Sequence, residues 1–222
     1  MGPVFERTQT WLNLIRKVLR ERHDLIAAVD GGVHLAKFAR VSLDMGFGDW
    51  DGAQRPIGIR TISFRSTKNR SDTCMTFRHL RQMGVTHVTC LGFLGGRADH
   101  ELAVLLDALD SGVVADFWSP RRAVFVLNAS SRPATRDRLV LQTNRGSHVS
   151  VFSVDSSARG VELTGFEYSG RFDRFDASSL GLSNRCVKPK ASIRIAKGRV
   201  LVFLETPKSV RKSENALTYF SQ

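Results

Sequence analysis

The stretch GFGDWDG, residues 46–52, places two aspartates one residue apart among glycines and aromatic side chains. Gly46 and Gly48 begin the G-x-G-x-x-G pattern of a dinucleotide-binding turn, but Asp51 occupies the position of the third glycine. A carboxylate repels a pyrophosphate unless a cation lies between them. The stretch therefore predicts a glycine-rich turn in which Asp49 and Asp51 hold a cation.

Working outward, the first 130 residues alternate short apolar runs with segments of helical periodicity. Such alternation predicts a parallel sheet covered by helices. The apolar runs predicted as strands are residues 25–29, 59–64, 85–94 and 124–127. The predicted helices are residues 73–82 and 100–109, together with an amphipathic helix that carries Trp11, Leu12, Ile15, Val18 and Leu19.

Beyond residue 138, apolar and polar residues alternate in short runs between glycine- and serine-rich turns. This pattern predicts an all-β sandwich or barrel. The runs are residues 138–142, 148–154, 161–170, 191–196 and 199–205. The polar segment 129–137 is the predicted linker, so we expect one domain over residues 1–130 and a second over residues 131–222.

Composition limits the class of protein. The chain has 222 residues and 42% hydrophobic residues, which is enough for two buried cores. Its apolar runs are too short to cross a bilayer, and the charged first 22 residues do not predict a signal peptide. Three cysteines without C-x-x-C spacing indicate a reducing compartment, with no disulfide framework and no zinc site. We expect a soluble cytoplasmic protein with no membrane partner.

Aspartates recur where the predicted strands end. In an open parallel sheet, ligands bind outside the carboxyl ends of the strands, so we expect these residues to converge on one edge. Each alone is explained as a turn residue or helix cap, but together they favour Mg²⁺ bridging to phosphate oxygens. Arg97, after Gly95-Gly96, is either a solvated surface residue or a bidentate phosphate ligand. The five aspartates are Asp30, Asp49, Asp51, Asp72 and Asp99.

The order of these motifs resembles the thiamine pyrophosphokinase family. The similarity runs from about residue 25 to about residue 205 and ends in a G-x-S-N motif. The motifs are Asp30-Gly31-Gly32, Gly48-Asp49-Trp50-Asp51, Lys68-x-x-Ser71-Asp72, Gly95-Gly96-Arg97-Ala98-Asp99-His100 and Gly181-Leu182-Ser183-Asn184.

The resemblance implies a fold and an activity. It implies an N-terminal Rossmann-like α/β catalytic domain that binds ATP and magnesium, and a C-terminal antiparallel β-sandwich that binds thiamine. The implied enzyme is a homodimeric transferase with active sites between subunits. It would transfer diphosphate from ATP to the thiamine hydroxyl and release thiamine diphosphate and AMP.

The resemblance also assigns roles to single residues. By it, Asp49, Asp51 and Asp72 hold Mg²⁺ on the triphosphate, and Arg97 and Asp99 serve the phosphate and nucleotide side. Asp30 lies at the same edge, and Lys68 positions the phosphates. Ser183 and Asn184 border the thiamine pocket.

Departures from the family pattern leave a second hypothesis open. Asn69 stands where the family often has aspartate, Gly52 where it often has serine, and Arg185 where an acidic residue is common. The amphipathic N-terminal segment replaces the strand with which the family usually begins. A relative with altered or lost acceptor specificity would show such changes.

Charge supports a third hypothesis from another class of protein. Residues 1–111 carry 15 Lys and Arg against 12 Asp and Glu, whereas residues 112–222 carry 18 against 9. The basic second half is compatible with nucleic-acid binding. Its basic run has few aromatic residues and no known nucleic-acid motif, so we do not expect nucleic acid as the partner. That run comprises Arg185, Lys188, Lys190, Arg194, Lys197, Arg199, Lys208, Arg211 and Lys212.

Overall fold

The computed structural model describes residues 8–19, 23–65, 69–130 and 136–205. They separate into two compact units. The first contains the residues up to Val113 together with Phe117–Pro120, and the second contains Val114–Asp116 and the residues from Arg121 onward. The functional assignment of residues 1–130 and 131–222 to a catalytic and a thiamine-binding domain stays a prediction.

A parallel sheet of three strands lies in the first unit, in the order β1 (Ala27–Val29), β2 (Met45–Gly48), β3 (Arg60–Ser63). All four residues of the central strand are buried, as expected for a parallel strand covered on both faces. The prediction that residues 46–48 belong to a turn is therefore wrong, because the strand continues to Gly48 and the turn begins at Asp49.

Helices cover this sheet and supply its core. The N-terminal amphipathic helix is confirmed: the Thr8 hydroxyl caps it, and Trp11 and Ile15 pack against Leu35 of the second helix. A second cluster joins Phe47 of β2 to Leu80 of the third helix. The helices are α1 (Gln9–Val18), α2 (Gly32–Ala39), α3 (Asp72–Gln82) and α4 (Ala98–Asp110), and two further strands are β4 (His87–Leu91) and β5 (Val114–Trp118).

The second unit is an antiparallel β-sandwich, as the resemblance implies. One sheet has the order β10-β9-β12-β7, and the other contains β11-β8-β13-β6. Alternate residues such as Leu141, Ile193 and Val151 point inward and are buried. The strands are β6 (Arg122–Asn128), β7 (Arg138–Gln142), β8 (His148–Ser153), β9 (Ser157–Thr164), β10 (Gly170–Asp176), β11 (Asn184–Arg185), β12 (Lys190–Arg194) and β13 (Arg199–Glu205).

A close backbone approach fixes the chain ahead of Ser183. Gly181 ends a short 3-10 turn (Ser179–Gly181), and a Cβ atom there would overlap the Val151 carbonyl oxygen and the Phe175 ring. Only glycine leaves room for both neighbours.

We predict that Gly181→Ala destabilises the protein by about 1–3 kcal/mol, because strand β8 must shift away from the added methyl group. For a chain of this size, the melting temperature would fall by about 2–12 °C. Gly52→Ala is the matched control, since a Cβ at Gly52 meets nothing within 4 Å. Equal melting temperatures for the two variants would contradict the close approach.

Candidate active site

Three carboxylates converge in the first unit. Asp30, Asp49 and Asp72 each offer an oxygen atom, and these atoms all lie within 4.8 Å of one another. All three side chains are partly buried. Asp30 follows β1 and Asp49 follows β2, so the carboxyl ends of two adjacent parallel strands supply two members of the group. Asp72 supplies the third from the start of α3.

The backbone after β1 aims Asp30 into this group. Asp30 has a φ of 41°, a left-handed conformation that is uncommon outside glycine, and its N–H donates to the Phe47 carbonyl oxygen at 2.8 Å. Its Oδ1 accepts the N–H of Trp50 at 3.3 Å. Gly48 makes room for the carboxylate, because a Cβ atom at Gly48 would overlap Asp30 Oδ1.

Asp72 is held by the start of a helix. Ser71 is the N-cap of α3, and its Oγ accepts the Cys74 N–H at 3.0 Å. The same hydroxyl donates to Oδ2 of Asp107 on α4 at 2.5 Å. As the first residue of α3, Asp72 lies at the positive end of the helix dipole, which favours its negative charge.

The group is electrostatically strained without a cation. Partial burial and the Asp72 carboxylate, with a smaller effect of Asp49, raise the pKa of Asp30 from 3.8 to about 6, against the opposing hydrogen bond from Trp50. Oxygen ligands at this spacing fit a hard divalent cation, since opposite ligands of Mg²⁺ lie about 4 Å apart and those of Ca²⁺ about 5 Å. The donor set therefore fits the magnesium ion that the family implies.

Asp51 lies outside the three-carboxylate group. Its side chain is exposed, and its N–H donates to Asp49 Oδ1 at 3.3 Å. The family resemblance implied Asp49, Asp51 and Asp72 as metal ligands, and the structure groups Asp30 with Asp49 and Asp72. The signal that identifies Asp30 is its position directly after a parallel strand, which Asp49 shares and Asp51 does not.

Arg97 and Asp99 form a pair of their own. Arg97 Nε donates to Asp99 Oδ1 at 3.1 Å and Nη2 donates to Oδ2 at 2.6 Å, with 63% of each side chain exposed. These hydrogen bonds lower the pKa of Asp99 to about 2 and raise the pKa of Arg97. The Gly95 N–H, predicted to approach an anion, donates to Glu101 Oε2 at 2.9 Å. Lys68 lies outside the described residues.

Ser183 and Asn184 lie in the second unit and differ in accessibility. Asn184 is only 4% exposed; its Oδ1 accepts the Tyr168 N–H and its Nδ2 donates to the Tyr168 carbonyl oxygen, both at 3.0 Å. The amide thus clamps the loop at Tyr168. Ser183 is exposed, has a φ of 57°, and its N–H donates to Ser150 Oγ at 3.0 Å.

Sequence comparison agrees with this geometry. Residues 16–111 match the family model of the thiamin pyrophosphokinase catalytic domain, and the matched segment contains Asp30, Asp49 and Asp72. This segment belongs to the thiamin pyrophosphokinase family. The resemblance inferred from the motifs is confirmed for it. No curated protein sequence matches the chain.

Solved structures extend the likeness in fold to the second unit. A thiamine pyrophosphokinase from Bacillus subtilis has a TM-score of 0.71 and 17% identity, with coverage of 93% of this chain and 96% of that one. The thiamin pyrophosphokinase from Candida albicans has a TM-score of 0.69 and 12% identity, with coverage of 93% and 87%. The chain therefore has the two-part thiamin pyrophosphokinase fold. Among the described helices, none is long and apolar enough to cross a membrane.

We predict that Gly48→Ala weakens Mg²⁺ binding at least tenfold, because the added methyl group displaces the Asp30 carboxylate from the group. Isothermal titration of the metal-free protein with MgCl₂ measures this directly. Gly52→Ala, four residues further along, serves as the control and keeps wild-type affinity. If Gly48→Ala also kept it, Asp30 would not be a ligand.

We also predict that Asp30→Asn stabilises the metal-free protein at pH 7.5. A carboxyl whose pKa is raised to about 6 on folding binds its proton more tightly in the folded state, so stability is greatest below pH 4 and is lost as the pH rises through 6. Asparagine cannot ionise and avoids that loss. Partial exposure limits the gain to about 1 kcal/mol, or about 2–4 °C in melting temperature.

The measurement is thermal unfolding in EDTA at pH 4 and pH 7.5. The gain should be present at pH 7.5 and absent at pH 4. Asp51→Asn is the control, because Asp51 lies outside the group, and should change neither value. A gain of the same size at both pH values would contradict an ionisation effect.

Proposed function

We propose that the protein is a thiamine diphosphokinase that transfers diphosphate from ATP to the thiamine hydroxyl and releases AMP. The observation that carries this proposal is the convergence of Asp30, Asp49 and Asp72 at the strand ends of a thiamin pyrophosphokinase catalytic domain. Phosphoryl chemistry depends mainly on positioning and on neutralising charge, and a group of carboxylates that fits a metal serves both.

In this proposal, Asp49 and Asp72 hold Mg²⁺, with Asp30 in the same group. Asp51, exposed beside Asp49, is the remaining proposed ligand and would contribute a further carboxylate to the bound ion. The bound ion supplies charge neutralisation and alignment of the phosphate oxygens. Ser71 and Gly48 act indirectly, by fixing the positions of Asp72 and Asp30.

Arg97 is the proposed phosphate ligand, and Asp99 orients it. The Asp99 carboxylate accepts two hydrogen bonds from one edge of the planar Arg97 guanidinium, which limits the orientations of the Arg97 side chain. A guanidinium has five N–H donors, so others remain for a phosphate. Lys68 is a further proposed phosphate ligand.

For thiamine, we propose that Ser183 and Asn184 have separate roles. The exposed Ser183 hydroxyl can both donate to and accept from the polar edge of a pyrimidine. Asn184 borders this position without reaching the substrate, because its amide is engaged with Tyr168. We further propose a homodimer that works in the cytoplasm, with each active site formed between subunits.

The test is incubation with ATP, MgCl₂ and thiamine, followed by chromatography for thiamine diphosphate and AMP. Asp49→Asn and Asp72→Asn should each lower kcat/KM at least 100-fold, because loss of one ligand misplaces the metal. The control is Asp24→Asn, which removes one exposed carboxylate of the same unit and should leave activity unchanged. Wild-type turnover of ATP with another alcohol, but not with thiamine, would indicate an altered acceptor.

A further inference from the structure

The outer face of the β10-β9-β12-β7 sheet carries an unusual set of cations. We call it the basic face. Buried residues such as Leu139, Ile193 and Leu163 face inward, and the residues beside them in the strands point to solvent. In β9 the buried residues Ala158 and Val161 are three apart, because the alternation shifts at Gly160, which has a φ of 58°, and Arg159 is therefore exposed. The basic face comprises the exposed residues Arg138, Arg159, Arg171, Arg174, Lys190, Arg194 and Lys197.

Strand register brings these cations together. Arg194 of β12 lies opposite Arg138 of β7 on one side and opposite Glu162 of β9 on the other. Glu162 in turn lies opposite Arg171 of β10. Four residues therefore form one row across four strands, and three of the four are arginines. At about 4.8 Å between strands, the row is about 14 Å long.

A second position repeats the pattern. Arg159 of β9 lies opposite Arg174 of β10, and its backbone also pairs with that of Lys197 in an isolated antiparallel β-bridge. Like charges directly opposite one another destabilise a sheet, so both arginine pairs oppose folding. Arg138, Arg159 and Arg194 make no ion pair with any carboxylate of the described chain.

Few acidic residues offset this charge. Two carboxylates form ion pairs: Glu162 Oε1 lies 3.5 Å from Arg171 Nε, and Asp176 Oδ1 lies 2.6 Å from Arg174 Nε. Asp173 is the third carboxylate of these strands. Within the four strands, six cations against three carboxylates leave a net charge of +3. The sandwich core does not need this charge, because the residues that build it point the other way.

Contrary to the expectation from the sequence, and because strand register assembles cations that are far apart in the chain, we propose that the basic face binds the sugar-phosphate backbone of nucleic acid, without sequence preference. A row of about 14 Å matches the scale of a DNA major groove, about 12 Å wide, so its ends can contact phosphates on both sides of one groove. The aromatic residues of these four strands are Phe172 and Phe175, which pack against each other, so the face offers no free platform for stacking bases.

Other occupants fit the face less well. A second copy of the chain would bring like charges together in a symmetric contact. A small anion calls for a concave site, whereas a sheet face is open. Membrane insertion calls for exposed apolar side chains, and none of the large exposed apolar residues in the described ranges belongs to β7, β9, β10 or β12.

The test is fluorescence anisotropy with a labelled mixed-sequence DNA duplex, titrated with the full chain at several NaCl concentrations between 50 and 200 mM. We expect binding that weakens steeply with salt and does not change when the duplex sequence is scrambled. Each phosphate contact adds about 0.9 to the slope of log affinity against log salt. Arg138→Gln/Arg194→Gln should therefore lower the slope by about 2 and weaken binding at 100 mM NaCl at least tenfold.

Arg78→Gln/Arg121→Gln is the matched control, because it removes two exposed arginines that lie outside the basic face. It should change affinity less than threefold. Equal weakening by both double variants would overturn the proposal, since net charge alone would then explain binding. Absence of wild-type binding to the duplex at 50 mM NaCl would also overturn it. So would a result in which the Arg138→Gln/Arg194→Gln variant loses binding to vesicles of phosphatidylserine and phosphatidylcholine but not to the duplex, which would assign the face to membranes.

Melting temperature and activity distinguish a loss of binding from a loss of folding in the double variant Arg138→Gln/Arg194→Gln. Removing the opposed arginines relieves repulsion, so the double variant should melt at or above the wild-type temperature. Its diphosphate transfer should remain at the wild-type rate, because neither arginine belongs to the proposed catalytic residues. If the double variant melted lower, Lys190→Gln/Lys197→Gln would replace it, with the same expected loss of slope.

Discussion

Mutual repulsion of three carboxylates is the constraint that shapes the first unit. Two unit charges no more than 4.8 Å apart repel by at least about 0.9 kcal/mol in water and at least about 3.5 kcal/mol in the environment typical near a protein surface. Asp30, Asp49 and Asp72 would move apart unless the backbone prevented it. The left-handed conformation of Asp30, the missing side chain at Gly48 and the cap at Ser71 each supply part of that restraint.

Strand β2 connects this restraint to the core. Phe47, fully buried in the centre of the sheet, anchors the strand whose end carries Gly48 and Asp49. Beyond them, Trp50 has a φ of 65°, and its indole Nε1–H donates to Ser63 Oγ at the end of β3 at 3.0 Å. The turn is therefore tied to two strands and to Asp30 at once. Its glycines and aromatic residues, which first suggest a nucleotide-binding turn, serve to position carboxylates.

The sequence predicts strands well where side-chain periodicity is strong. The bounds of β7 and β13 agree with the predicted residues 138–142 and 199–205, because apolar and polar residues alternate or run together there without interruption. Strand β2 was missed because two of its four residues are glycines, which signal turns. Strand β10 was missed because GRFDRFD is mostly charged, and only its pairing with β9 identifies it.

The same limit applies to the site. Parallel-sheet topology predicts that carboxylates gather at the strand ends, but not which ones meet. Asp30 directly follows a parallel strand and Asp51 does not, and the left-handed turn at Asp30 then aims its carboxylate into the group. For Asn184, the motif located the loop but did not predict that the amide is buried and hydrogen-bonded to the Tyr168 backbone, because that burial is a tertiary property.

The proposed phosphate-binding groups of the first unit are engaged by the chain's own carboxylates. Asp99 accepts hydrogen bonds from Arg97, and Glu101 accepts one from the Gly95 N–H. Both partnerships lie at the exposed start of α4, where ion pairs with solvent on all sides contribute little to stability. A phosphate could therefore replace these carboxylates, or add to them, at small cost. The internal partners would keep the donors oriented until it arrives, which reduces the ordering that binding must otherwise supply.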